Sequence, residues 1–365
     1  MNATTTKQIQ KAGDNSNQVQ AQTVVQNIGI SEERVHCIVS DECDKTIESC
    51  MQESKLLVEQ RLSSFKDELY RVFGEQLRLF DSLREPSCVA TLGAATNVAA
   101  RTSAASDYQM LAELLVKRFE SPSDRHIATG ITKAIEIVEF LTDEELAGLT
   151  TLHAARAFTP TSGNIKIGIE SLAGLFDALP LDHLPSGQDW IDDLDILGAA
   201  RFSSIASLVP YLEFQFSQLE GYTVCGVKAG SGEEADALDK LSGAGLSAEL
   251  LVEHELNPGY KRLPLRDIDN FENLTLYSPS DPSVPSEGLN DGQIEVFRYV
   301  CNLSQDHSHD EVIKENLKKE MLRHPSLATL IDWWDSIRLA PRLTSVGRCL
   351  ANANVRRLKP ELPDV

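Results

Sequence analysis

Between Ser31 and Pro86 the chain has no proline and a single glycine, Gly74. Such a stretch permits one continuous helix of about 55 residues, roughly 80 Å long at ~1.5 Å per residue. Its start is well marked. Ser31 can cap it, Glu32 and Glu33 stand at the positive end of the helix dipole, and Ile30 can staple onto Val35. Further along, Val58, Leu62, Phe65, Leu69, Val72, Leu79 and Leu83 fall on alternating four- and three-residue steps, with Gln76 as one polar position. This spacing predicts a coiled-coil-like heptad seam shared with another copy. Met51 and Lys55 extend it upstream. The same stripe also allows an amphipathic helix lying on its own domain.

The segment before the helix, residues 15–31, carries no charged side chain and seven Asn or Gln. Side chains alternate across a strand. Gln18, Gln20, Gln22 and Gln26 therefore share one face, and Val19, Ala21, Thr23 and Val25 the other. A lone ribbon is marginal in water, but stacked copies could pair their backbones and ladder their amides. Val19, Gln20, Gln22, Thr23 and Val25 are thus expected to join copies of the chain, as the heptad seam is. A polar tail is the alternative.

The run KAGDNSNQVQAQ, the short apolar strand after it and GISEERV at the helix start resemble the leader of a group of uncharacterised bacterial proteins. Those proteins share a G-D-N-S/T-N-x-Q leader, a long helix and an L-T-x-V-G ending. Here the ending reads Leu343-Thr344-Ser345-Val346-Gly347. The leader recurs in bacterial conflict and phage-defence proteins, and the ending is similar to that of the Abi-alpha family of proposed defence proteins. The resemblance implies a place in defence and supplies no catalytic residues.

At 365 residues, 42% of them hydrophobic, the chain can hold one large or two ordinary domains. Its net charge of -21 argues against general nucleic-acid binding and against anionic membrane surfaces. Seven cysteines without paired spacing fit a reducing cytoplasm. No signal peptide is visible in residues 1–30, and the apolar-leaning run 86–100 is too short to span a bilayer.

The predicted fold class is mainly α. The expected divisions are a β-strand oligomerisation leader (1–30), a long helix (31–85), a helical array (86–256), a proline-rich linker (257–289) and a C-terminal helical module (290–365). Within the array, Ser121-Pro122 predicts a helix start, as does the capping box of Thr142 and Glu145. In the linker stand Pro258, Pro264, Pro279, Pro282 and Pro285. Strand, then L-T-x-x-G, then helix is also how many winged-helix units end.

Several clusters could carry chemistry. Gly230-Ser231-Gly232-Glu233-Glu234-Ala235 has the G-x-G-x-x-A form of a dinucleotide fingerprint, but its glutamates stand where a pyrophosphate must dock. His307, His309, Asp310 and Glu311 could ligate a metal, as could Cys43 and Cys50 with Cys37 and His36. For these thiols buried, unreactive side chains are the expectation. Asp189, Asp192 and Asp193 could hold Mg²⁺, or form a solvated face beside an anchored Trp190. None combines a nucleophile with an oriented base, so no cofactor, tightly bound metal or catalytic residue is assigned. From Ser336 to Val365 six basic residues face two acidic ones, a balance of 6 - 2 = +4. Arg342, Arg348, Arg356 and Arg357 are therefore the expected partner-binding residues, unless they pair with the protein's own acidic helices. Trp333 and Trp334 are expected in the core. The function expected is a non-enzymatic, self-associating scaffold or sensor in the bacterial cytoplasm. A nucleic-acid-binding regulator and an enzyme with a site around residues 189–195 or 307–311 are the alternatives.

Overall fold

The chain is mainly α-helical, as its patterning predicts. The computed structural model describes residues 31–365 apart from 75–76, 204–206, 269–270, 272–276, 279–280, 286–287, 304–308 and 364–365. The predicted leader strand, with Val19, Gln20, Gln22, Thr23 and Val25, lies outside the described residues. Contacts divide the chain into two units, Met1–Leu57 and Val58–Val365.

The first helix, α1 (Glu32–Phe73), ends before Gly74 rather than running to Pro86, and a 3-10 segment occupies Leu77–Arg84. Up to Leu57 every described residue is exposed. From Val58 onward the helix belongs to the body.

In the body follow α2 (Pro86–Arg101), α3 (Ala105–Glu120), α4 (Arg125–Ile137), α5 (Asp143–Ala157), α6 (Ile165–Phe176) and α7 (Asp189–Ile196). Strand β1 (Ala200–Ser203) precedes α8 (Tyr211–Gln218) and α9 (Glu220–Thr223). Then come β2 (Val227–Lys228), α10 (Gly232–Gly243), β3 (Val252–Glu253), β4 (Tyr260–Arg262), β5 (Tyr277–Ser278) and β6 (Asp281–Pro285). The chain closes with α11 (Asp291–Leu303), α12 (Asp310–Leu322), α13 (Pro325–Ser336), β7 (Ala340–Leu343) and α14 (Ser345–Leu358).

Local chemistry sets several boundaries. Thr142 and Glu145 form the predicted capping box of α5, with Glu145 N–H donating to Thr142 Oγ1 at 3.2 Å and Thr142 N–H to Glu145 Oε2 at 2.8 Å. Helix α4 starts later than Ser121-Pro122 suggests. Asp124 is its cap, accepting from the amides of His126 and Ile127, while Ser121 ends α3.

The C-terminal residues are not a separate module. Helix α14 packs on α5, α3 and α4, and its residues Leu350 to Val355 are all buried. Helix α5 is buried from Glu145 to Ala155, so it is apolar or small nearly all round. Asn354 Nδ2 donates to Thr150 Oγ1 at 2.8 Å, joining the two helices inside the core. Strand β7 pairs antiparallel with β1, Leu343 opposite Ala200, so it is no wing of its own.

The L-T-x-V-G ending has a structural explanation here. Leu343 closes the β1–β7 pair. Thr344 caps α14 by accepting from Gly347 N–H at 3.2 Å, and its hydroxyl donates to Gly198 O at 2.7 Å. A Cβ on Gly347 would run into the Ala199 carbonyl.

A second, smaller core forms around β2-β4-β3, α10 and α11, with Val227, Leu241, Leu263, Phe271 and Phe297 buried in it. It includes Leu263, Leu265 and Phe271 of the predicted linker. Arg262, buried in β4, pairs with Glu255 at 3.1 Å and donates to the carbonyls of Gly163, Gly221, Leu263 and Leu265. Pro258 and Pro264 flank β4, and Pro282 and Pro285 lie within β6. Trp333 and Trp334 are core residues, as expected. Among the described residues no helix is long and apolar enough to cross a membrane.

Candidate functional site

Two features stand apart from the packing just described: an exposed helical segment and a cationic cleft.

Residues 58–83, predicted as a seam between copies, are taken up by the chain's own body. Phe65 and Leu79 are buried, and Leu62, Leu69, Val72 and Leu83 pack against the same core. Val58 begins this stretch half-buried. Phe65 lies 6.5 Å from the Tyr108 ring and Phe73 meets Phe119 edge-on at 5.3 Å. Arg61 Nη1 donates to the carbonyls at the end of α2, Ala100 and Arg101. The stripe was legible, but its partner is α2 and α3 of the same chain.

Upstream, residues 32–57 of α1 form a helix whose apolar side chains are bare. Val35, Val39, Cys43, Ile47 and Met51 follow one another at four-residue steps. Val39 is 54% exposed, Ile47 56% and Met51 68%. Cys37, Cys43 and Cys50 are exposed free thiols, which corrects the expectation that they are buried.

The arginines expected to share one partner-binding face do not share one environment. Arg357 donates to Asn354 Oδ1 at 2.9 Å and to Gln109 Oε1 at 3.1 Å, and burial lowers its pKa. Arg342 is exposed on β7. Arg348 and Arg356, two turns apart on α14, instead face a cleft of about 280 Å³ between α3, α4 and α14. Lys117 and Glu113 of α3 and His126 of α4 also line it. Arg356 Nε stands 4.0 Å from Glu113 Oε2, and Arg348 Nη1 donates to Leu343 O at 3.3 Å. Burial raises the pKa of Glu113, with Arg356 opposing. Burial likewise raises that of the lining thiol Cys349 against the pull of Lys117 and Arg348, which leaves a weak nucleophile. Sequence inspection found the arginines and missed Lys117 and His126. The four-residue spacings 113/117 and 348/352/356 were visible as helix faces, but not that the faces meet.

The other candidate clusters are accounted for by local bonds. The glycine turn before α10 is filled by the chain's own carboxylate. Gly230 N–H donates to Glu234 Oε2 at 2.5 Å, and Lys261 Nζ lies 2.7 Å from Glu234 Oε1. Those two bonds hold the Glu234 carboxyl below its usual pKa, where a pyrophosphate would otherwise dock. His309 Nδ1 lies 3.1 Å from Asn257 Oδ1, and its ring packs against Tyr260. His307 falls outside the described residues. Trp190 is anchored in the core while Asp189, Asp192 and Asp193 are exposed. Among the described residues no group of three or more His, Cys, Asp or Glu is placed to hold a metal ion.

A protein-family model for an uncharacterised family matches residues 29–363. The chain belongs to that family. No curated protein and no solved structure matches it. The matched residues include the exposed segment of α1 and the residues that line the cleft.

Proposed function

We propose that this protein is a self-associating, non-enzymatic scaffold or sensor of the cytoplasm, and that copies meet through residues 32–57 of α1. The observation that carries the reading is the exposure of every residue in that segment beside a stripe of Val, Ile, Met and Cys. The β-branched Val35, Ile38, Val39, Thr46 and Ile47 lower the intrinsic helix propensity of this segment. A partner that covers its apolar side chains would stabilise it as a helix. A second copy brings the same bare stripe, so one isologous contact covers two exposed faces at once. The expected leader strand serves the same end. Three exposed free thiols on the segment favour a reducing compartment. The part played in stress or phage defence rests on the leader and the L-T-x-V-G ending.

Hydrogen exchange on the full-length protein at two concentrations tests this. Amides of residues 35–51 should be protected at high concentration and lose protection on dilution. Rapid exchange at both concentrations would remove the reading.

A further inference from the structure

At ~3.6 residues per turn, Cys43 and Cys50 of α1 stand almost directly above one another, two turns apart. Both are free, exposed thiols. The exposed Val39, Ile47 and Leu57 fall within about 40° of Cys43 round the helix. Between His36 and Leu57 every Asp, Glu and Lys falls about 80° or more away from it. The two thiols therefore mark the middle of a bare, charge-free stripe. Cys37 is exposed too, but it lies about 120° round the helix from Cys43.

Two turns of helix rise ~10 Å, so the thiols of one copy can neither bond each other nor share one metal ion. Each finds a thiol only outside its own helix. Helix axes packed ~8–10 Å apart, with each Cα ~2.3 Å from its axis, leave roughly 3.5–5.5 Å between facing Cα atoms. A disulfide spans about 4.4–6.8 Å between Cα atoms, so facing cysteines of two copies come within bonding reach. A parallel pair in register sets each thiol against its own counterpart. An antiparallel pair centred between Thr46 and Ile47 sets Cys43 against Cys50. In both directions two thiol pairs meet.

We propose that Cys43 and Cys50 are a redox lock on the α1 contact, closed by disulfides between two copies. The lock rests on the association through α1 proposed above. Its oxidant is a small disulfide of the glutathione type. One protein thiolate attacks that disulfide and releases one glutathione thiol. The facing thiol of the second copy then attacks the mixed disulfide and releases the other. Two protein thiols are oxidised, one glutathione disulfide is reduced to two thiols, and the two protein protons end on the released glutathiones. In a reducing compartment the lock stays open until the thiol–disulfide balance shifts.

The test treats the full-length protein with oxidised glutathione and reads non-reducing electrophoresis, peptide mapping and light scattering on the same samples. A species of about twice 40.2 kDa should form and return to 40.2 kDa with dithiothreitol. Its linked peptides should contain Cys43 and Cys50. The oxidised protein should keep its mass on dilution to where the reduced protein dissociates. Cys43→Ser with Cys50→Ser should abolish the linked species and leave association of the reduced protein unchanged, whereas Cys37→Ser should leave the linked species intact. Association without cross-linking, or cross-linking through Cys37, would overturn the lock and leave self-association standing. A parent that stays monomeric at every concentration would remove both.

Discussion

Leu256 N–H donates to His254 Nδ1 at 3.1 Å, and His254 Nε2 lies 2.7 Å from Val224 O. The two bonds require a neutral ring with its proton on Nε2, because a second proton on Nδ1 would face an amide hydrogen. Burial holds the His254 pKa down to about 4. His153, buried in α5, is also held down to about 4, by burial first and the charge of Arg348 second. Both titrate near 6.5 in the unfolded chain. Between those values the unfolded state binds protons that the native state does not. Stability is therefore complete above about pH 6.5 and falls as pH drops towards 4, by up to roughly 3 kcal/mol for each group. Urea unfolding at pH 7.5 and 4.5 should show this loss, and His153→Leu should lose less than the parent does. An equal loss would contradict the burial argument. At Gly347 the constraint is steric. Gly347→Ala drives a methyl into the Ala199 carbonyl and should cost about 3 kcal/mol, read as a lowered melting temperature.

At the scale of elements, the ion pair of Arg262 and Glu255 ties β4 to the loop before α6 and to α9. Arg262 is 2% exposed and its fork serves four carbonyls as well as the carboxylate. Lysine has one donor centre in place of a planar fork, so Arg262→Lys should destabilise by about 3–5 kcal/mol in urea unfolding. Local signals such as the box of Thr142 and Glu145 could be read from sequence because both partners lie within one turn. The apolar stripe from Leu62 to Leu83 was equally legible, but its partners, Tyr108 and Phe119 among them, arrive from later in the chain. Periodicity gives a face and says nothing of what covers it. Helix α14 shows the reverse failure. Its arginines suggested a surface module, yet Arg357 is spent on Asn354 and Gln109, and buried Leu350, Ala351 and Val355 make it the centre of the body. Ending the chain at residue 344 should therefore abolish folding of the body, seen as loss of a cooperative melt, where removal of a detached module would leave it intact. The cleft was illegible for the same reason: Lys117 and Arg348 are brought together only by packing.

For the whole molecule, association through residues 32–57 is the claim on which the proposed function depends. Light scattering of the full-length protein across a range of concentrations, beside the Val39→Asp, Ile47→Asp double variant, tests it most directly. Charge placed in a shared apolar seam costs several kcal/mol per uncompensated buried group. The account predicts a parent mass that is a multiple of 40.2 kDa and a variant that falls to 40.2 kDa while its body still melts cooperatively. A parent of 40.2 kDa at every concentration, or a variant that keeps the parent's multiple, would contradict it.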